Sequence, residues 1–211
     1  MASKLLVDEL APYAHATDVT ITTGKNISGA NTQYKITGGT SGQVLKNDGS
    51  DGLTWNTGGK VIQVLQTIKT DTTSTTVIAG AFEDISGMNV VITPAAATSK
   101  VLVFWTLCLS AGNNVRMNLR LVRDLAYPFL GDAYGSRVRT STSSLTADQT
   151  GYSSTSAQFL DSPNSAVAVT YKLQWAMGAA STMWLNRGFT DSDTTAYQTP
   201  ASTLTVMEIA A

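Results

Sequence analysis

From Val167 to Met177 every second side chain is large and apolar: Val167, Val169, Tyr171, Leu173, Trp175 and Met177 alternate with Ala168, Thr170, Lys172, Gln174 and Ala176. A β-strand sends successive side chains to opposite faces, so a period of two specifies a strand with one face in a core and one in water. Val115, Met117, Leu119 and Leu121 repeat the pattern against Arg116, Asn118 and Arg120. Met88, Val90 and Ile92 do so again up to Thr93 and Pro94, where the proline closes the strand. Val101–Leu109 (VLVFWTLCL) is apolar on both faces, the pattern of a strand covered on two sides. In a lone sandwich one face would be wet. The second face is therefore expected to meet another subunit, and Val101, Val103, Trp105 and Leu107 are the expected interface residues.

Val61–Ile68, Met183–Leu185 and Leu204–Ile209 read as further strands, and Thr70–Thr76 as an exposed strand or loop. Between Asp124 and Ser165 lies a long Gly-, Ser- and Tyr-rich segment with one predicted strand at Ser156–Leu160. Short strands at this spacing, with no helical period, predict an all-β fold: an antiparallel β-sandwich or jelly roll over residues 60–211. No heptad or solenoid repeat is visible.

The first 59 residues differ in kind. Ile36 to Gly59 holds seven of the chain's 17 glycines. It also carries Val44, Leu45 and Trp55, side chains for which a mobile tether has no use. That composition predicts a folded Gly-rich collar over 36–59, between an extended N-terminal anchor at 1–35 and the head. In the anchor, Leu5, Leu6, Val7, Leu10 and Tyr13 form an isolated apolar plug that cannot fold alone and is expected to dock on a partner. Acidic residues stand where a signal peptide would need its apolar core.

Charge excludes several functions. Charged residues make up 14% of the chain and the formal net charge is −1, so there is no basic footprint for nucleic acid or for an anionic membrane surface. No apolar stretch approaches the ~20 residues of a membrane-spanning helix. Low charge suits a chain that buries surface against copies of itself. The lone cysteine, Cys108, cannot form a disulfide within the chain and reads as a small buried hydrophobe.

Motifs for chemistry are sparse. His15 is the only histidine and lies far in sequence from Cys108, so no Cys–His nucleophile is indicated. Asp48-Gly-Ser-Asp-Gly52 has the start of a calcium loop but lacks its third oxygen ligand and closing glutamate; a turn explains it better. Asp191 and Asp193 read as a solvated loop, and a paired-carboxylate depolymerase is the enzymatic alternative they leave. No catalytic residue, metal or cofactor is expected. Tyr127, Tyr134 and Tyr152, with Arg137 and Arg139, fall in the long Ser/Gly-rich segment, a composition that suits binding loops and points to a host-surface glycan or protein. Packing of these aromatics back onto the sandwich is the alternative.

The segment Gly38–Trp55, with Gly-Gly-Thr-Ser-Gly-Gln-Val-Leu followed by Asp-Gly-Ser-Asp-Gly-Leu-Thr-Trp, resembles the linker of tailed-bacteriophage tail fibre and appendage proteins. The opening Ser-Lys-Leu-Leu-Val-Asp-Glu-Leu and the later Thr23–Ile27 (TGKNI) resemble the leader of such proteins in phages of aquatic bacteria, including cyanophages. Ile92–Val103 (ITPAAATSKVLV), Phe159–Pro163 (FLDSP), Asn186-Arg187 and Ser202–Ile209 (STLTVMEI) are similar to the head of that family, in the same order. The resemblance implies a homotrimeric virion protein. Its head would resemble the tumour-necrosis-factor/C1q jelly roll, its N-terminus would dock on another virion protein, and its role would be host adsorption. The chain is short for a tail fibre, so a baseplate appendage and a capsid decoration or head spike are both open. A cellular carbohydrate-binding module is a further alternative.

Overall fold

The computed structural model describes residues 40, 43–47, 53–57, 61–112, 114–146 and 151–210. Among them the chain forms thirteen strands and no helix. It divides into two compact units, Met1–Gly58 and Gly59–Ala211.

In the first unit, β1 (Gln43–Asn47) and β2 (Leu53–Thr57) make an antiparallel hairpin. Its register sets Leu45 opposite Trp55 and Asn47 opposite Leu53, so Leu45, Leu53 and Trp55 share one face. Val44 lies on the other face and is half exposed.

The second unit is a sandwich of two antiparallel sheets. Its strands are β3 (Val61–Lys69), β4 (Thr73–Val77), β5 (Glu83–Ile92), β6 (Lys100–Ala111), β7 (Arg116–Arg123) and β8 (Ala126–Phe129). They continue as β9 (Thr142–Leu145), β10 (Ser153–Asp161), β11 (Val169–Met177), β12 (Ser181–Leu185) and β13 (Ser202–Ile209). In the six-stranded sheet β6 is central. It pairs with β10 along one side; on the other it pairs first with β13 and then with β12. Beyond β13 lies β3, and beyond β12 lies β4. The five-stranded sheet runs β5-β11-β7, and β8 and β9 share the far side of β7.

Alternation decides what faces inward. Val101, Val103, Trp105, Leu107, Leu109 and Ala111 of β6 meet Met117, Leu119 and Leu121 of β7 and Tyr171, Leu173, Trp175 and Met177 of β11 in one buried cluster. Ile85, Met88, Val90 and Ile92 of β5 and Leu204 and Val206 of β13 complete it. Each such large side chain contributes about 1.5–3 kcal/mol by leaving water. Phe129 stacks on Phe159 at 5.0 Å and meets the edge of Trp105 at 6.3 Å, closing the side of the core beneath β8 and β10.

Three polar pins sit among these apolar residues. Asp161 of β10 accepts hydrogen bonds from Arg123 Nη1 on both its oxygens at 2.8 Å and from the Tyr171 hydroxyl at 2.7 Å, tying one sheet to the other. Burial, together with the carboxylate that accepts its proton, pushes the Tyr171 phenol far above its ordinary range. Glu208 of β13 is fully buried and accepts from Gln63 Nε2 at 2.6 Å and from the Ala95 amide at 2.7 Å. Asn186, just after β12, donates to the carbonyls of Lys69 and Asp71 and accepts from Ser202 Oγ.

Two sequence-based expectations are corrected here. Val101, Val103, Trp105 and Leu107 are not an interface: their side chains are buried to 1% exposure or less in the chain's own core. A strand apolar on both faces has one face that must fill the sandwich, and these four occupy it. Val167 is the other correction. It lies before β11 begins and is 72% exposed, because the bend at Ala166-Val167 interrupts the alternation that the sequence carries through it.

Candidate functional site

The outward positions of the two sheets differ sharply in chemistry. On the six-stranded sheet they are Ile62, Val64, Gln66 and Ile68 of β3, Thr203, Thr205, Met207 and Ile209 of β13, Lys100, Leu102, Phe104 and Thr106 of β6, and Ser154, Ser156, Gln158 and Leu160 of β10. Register aligns them into rows. Leu160, Leu102, Met207 and Val64 face one another across four strands, and Gln158, Phe104, Thr205 and Gln66 form the next row. Among these positions Lys100 is the only charge. Val64 is 50% and Ile68 60% exposed, so the apolar surface is open. A depression of about 290 Å3 runs along β6 and β10, lined by Phe104, Trp105, Thr106, Ser156, Ala157 and Gln158.

The outer face of the five-stranded sheet is charged and aromatic. Its register sets Asp84 of β5 opposite Gln174 of β11, and Gln174 opposite Arg120 of β7. Gln174 bridges the row: its Nε2 donates to one Asp84 oxygen, and its Oε1 accepts from Arg120 Nε at 2.7 Å. Lys172 Nζ takes the other Asp84 oxygen at 2.7 Å, and that hydrogen bond, helped by Gln174, holds the Asp84 carboxyl below its usual range. The Arg120 guanidinium lies over two rings, Phe82 at 3.9 Å and Tyr127 at 4.2 Å to their centroids.

Of the residues singled out from sequence, Tyr127 belongs to this face, on β8, and is 46% exposed. Tyr134, Arg137 and Arg139 lie in the loop between β8 and β9, all exposed. The Arg137 guanidinium covers the Tyr134 ring at 4.5 Å, and Arg139 Nε donates to the Gly131 carbonyl, so these arginines organise their own loop. Tyr152 stands apart from them: its hydroxyl donates to Gln198 Oε1 in the loop before β13. Leu5, Leu6, Val7, Leu10 and Tyr13 lie outside the described residues.

Sequence alone does not single out the central group, Arg120, with Phe82 and Gln174, and offers Asp84 only as the neighbour of Glu83 in a close carboxylate pair. A signal existed. Alternation already assigned Arg120 and Gln174 to wet faces of two strands; only the register that makes them neighbours was missing.

Asp191 and Asp193, with Ser192, Thr194, Tyr197 and Thr199, line a depression of about 350 Å3. Asp191 is paired with Arg187 at 3.3 Å. Among the described residues no three His, Cys, Asp or Glu side chains gather as metal ligands would. Cys108 is buried, and burial pushes its thiol pKa up, which suppresses the thiolate.

No protein family matches the chain, and no curated protein does. Among solved structures it is similar to the D431N mutant VP2 protein of infectious bursal disease virus, from derived T=1 particles, at 11% identity and a TM-score of 0.33 over 77% of this chain and 39% of that one. The VP2 subviral particle of the same virus gives 10% identity and a TM-score of 0.33, over 80% of this chain and 43% of the other. The chain thus spans about two fifths of the length of these viral proteins.

Proposed function

We propose that this chain is a structural component of a virus particle, a short homotrimeric phage appendage whose β-sandwich head serves in adsorption to the host surface. The observation that carries this reading is the segregation of the two outer faces. A charge-poor sheet with an apolar row across four strands associates with copies of itself at about 25 cal/mol per Å2 of apolar area buried. The opposite sheet, with Arg120, Lys172, Asp84 and Tyr127, stays in water and meets the host. The linker-like and leader-like residues before position 60 support attachment to another virion protein through Leu5, Leu6, Val7, Leu10 and Tyr13. Binding, with no chemical turnover, is the role.

Subunit association moves, in this reading, from the inward side of β6 to its outward side, with Leu102, Phe104, Met207 and Val64 in place of the buried set. Light scattering tests it. The full chain is expected at three times its 22.2 kDa mass, and Met207→Glu, which sets a carboxylate in the middle of the apolar row, is expected to reduce the mass toward one chain while the head stays folded. A wild-type protein that runs as a monomer overturns the self-association. Antibody labelling of intact particles then separates a tail position from a capsid one.

A further inference from the structure

Among the described residues three arginines stack on aromatic rings, and they are not equivalent. Arg187 lies over Trp184 at 4.0 Å, but its charge is answered by Asp191 and its N–H groups by the carbonyls of Gly188 and Phe189. Arg137 covers Tyr134 on an exposed loop. Arg120 is held on a strand, over two rings at once, with Nε fixed by Gln174. Among the described residues its terminal Nη groups have no hydrogen-bond partner and no carboxylate lies within ion-pair distance, although its charge reaches Asp84. Asp84, the nearest acid in its row, has one oxygen engaged by Gln174 and the other by Lys172.

A guanidinium held flat in this way has already given up its rotamer freedom. It presents a rigid planar fork that matches a carboxylate bidentately. Its half-buried position keeps the attraction from being fully screened. Beside it, the Tyr127 ring is half exposed and its hydroxyl has no partner among the described residues. Gln174 and Asp84 continue the row and Lys172 reaches Asp84 from two residues along β11, a set of donors and acceptors that suits hydroxyl groups that both give and accept hydrogen bonds.

We infer that Arg120, flanked by Phe82 and Tyr127, is the carboxylate-binding point of a site for acidic sugars, a uronic-acid unit of a surface polysaccharide. The sugar carboxylate takes the Arg120 fork, its ring lies against Tyr127, and its hydroxyls reach Gln174 and the Asp84–Lys172 pair. This deepens the adsorption role proposed above and rests on it for which face looks outward.

The test is saturation-transfer NMR and calorimetry on the full-length protein with oligogalacturonate, and with a neutral malto-oligosaccharide of equal length as control. Saturable binding of the acidic probe alone is expected. Arg120→Lys, which keeps the charge but loses the fork, is expected to weaken it about tenfold or more, the scale of one charge-assisted hydrogen bond. Tyr127→Leu, at a half-exposed position, is expected to weaken it while the head stays folded and melts within a few degrees of the wild type, so the proposal does not depend on the Arg120 variant folding. No saturable binding of oligogalacturonate, equal binding of the neutral probe, or unchanged affinity in both variants each overturns it. Light scattering on the same samples reports self-association independently, so failure of the sugar site and failure of the assembly reading are distinguishable.

Discussion

Asn186 shows how much one residue can hold. Its φ of +63° lies in the left-handed region that asparagine tolerates better than other non-glycine residues. From there its amide reaches the carbonyls of Lys69 and Asp71 at 2.8 and 3.0 Å, and its Oδ1 accepts from Ser202 Oγ at 2.6 Å. Ser202 in turn accepts from the Cys108 amide, so the ends of β3, β12 and β13 are tied to β6 through two side chains, Asn186 and Ser202. Asn186→Ala is expected to cost about 2–4 kcal/mol, from buried groups left unpaired and strain no longer offset, as read by urea denaturation of the head. Glu208 makes a pH-dependent contribution. Burial disfavours its charge, yet hydrogen bonds from Gln63, Ser99 and the Ala95 amide outweigh that and hold its pKa below the ordinary glutamate value. With the folded-state pKa depressed, its stabilisation is complete above the unfolded value of about 4.3 and is lost as pH falls through the lower folded value. Melting temperatures are therefore expected to be flat from pH 7 to about 5 and to fall in the acid range. Glu208→Gln is expected to lower neutral stability by about 1–3 kcal/mol and to flatten that acid decline.

Among the elements, β5 carries a defect with a purpose. Its pairing to β11 passes from Asn89–Lys172 to Asp84–Gln174, so four residues of β5 oppose only Leu173. Gly87 lies in this bulge at φ +79°, and the Lys69 side chain passes over it. Gly87→Ala is expected to cost about 1–2 kcal/mol, since an alanine there adopts a left-handed backbone, and the midpoint of thermal unfolding reads the loss. The bulge is what lets Asp84 meet Gln174, and so what builds the polar row. The one hint in the residues of β5 is Gly87 itself, an isolated glycine inside a strand. By contrast, the inward faces of β7 and β11 were legible in full from Met117 to Leu121 and from Val169 to Met177, because periodicity reports which residues share a face. It cannot report which strand lies alongside. Periodicity therefore does not distinguish a second sheet from a second subunit as the neighbour of Val101, Val103, Trp105 and Leu107, and it does not reveal Arg120 and Gln174 as a pair. The short strands β8 and β9 were illegible for a different reason. AYPF and TSSL each span four residues, too few for a pattern, and β7 supplies the template that makes them strands.

On the scale of the molecule, the second unit, Gly59–Ala211, encloses its own core of residues from β5, β6, β7, β11, β12 and β13. A fragment of residues 59–211 is therefore expected to fold without the first unit and to melt cooperatively within a few degrees of the full chain; a broad, non-cooperative melt in circular dichroism would refute this. The order of the strands adds a constraint in time. β13, the last strand of the sheet to be synthesised, is not at an edge: it lies between β3, the first, and β6, the central one. Until residue 209 has left the ribosome, the emerging chain has a gap in the middle of its larger sheet, with two unpaired strand edges facing each other across it. The larger sheet can therefore close only once β13 has emerged. A chain cut before Ser202 leaves both of those edges as open templates for aggregation, so one late strand decides whether the whole sheet is protected.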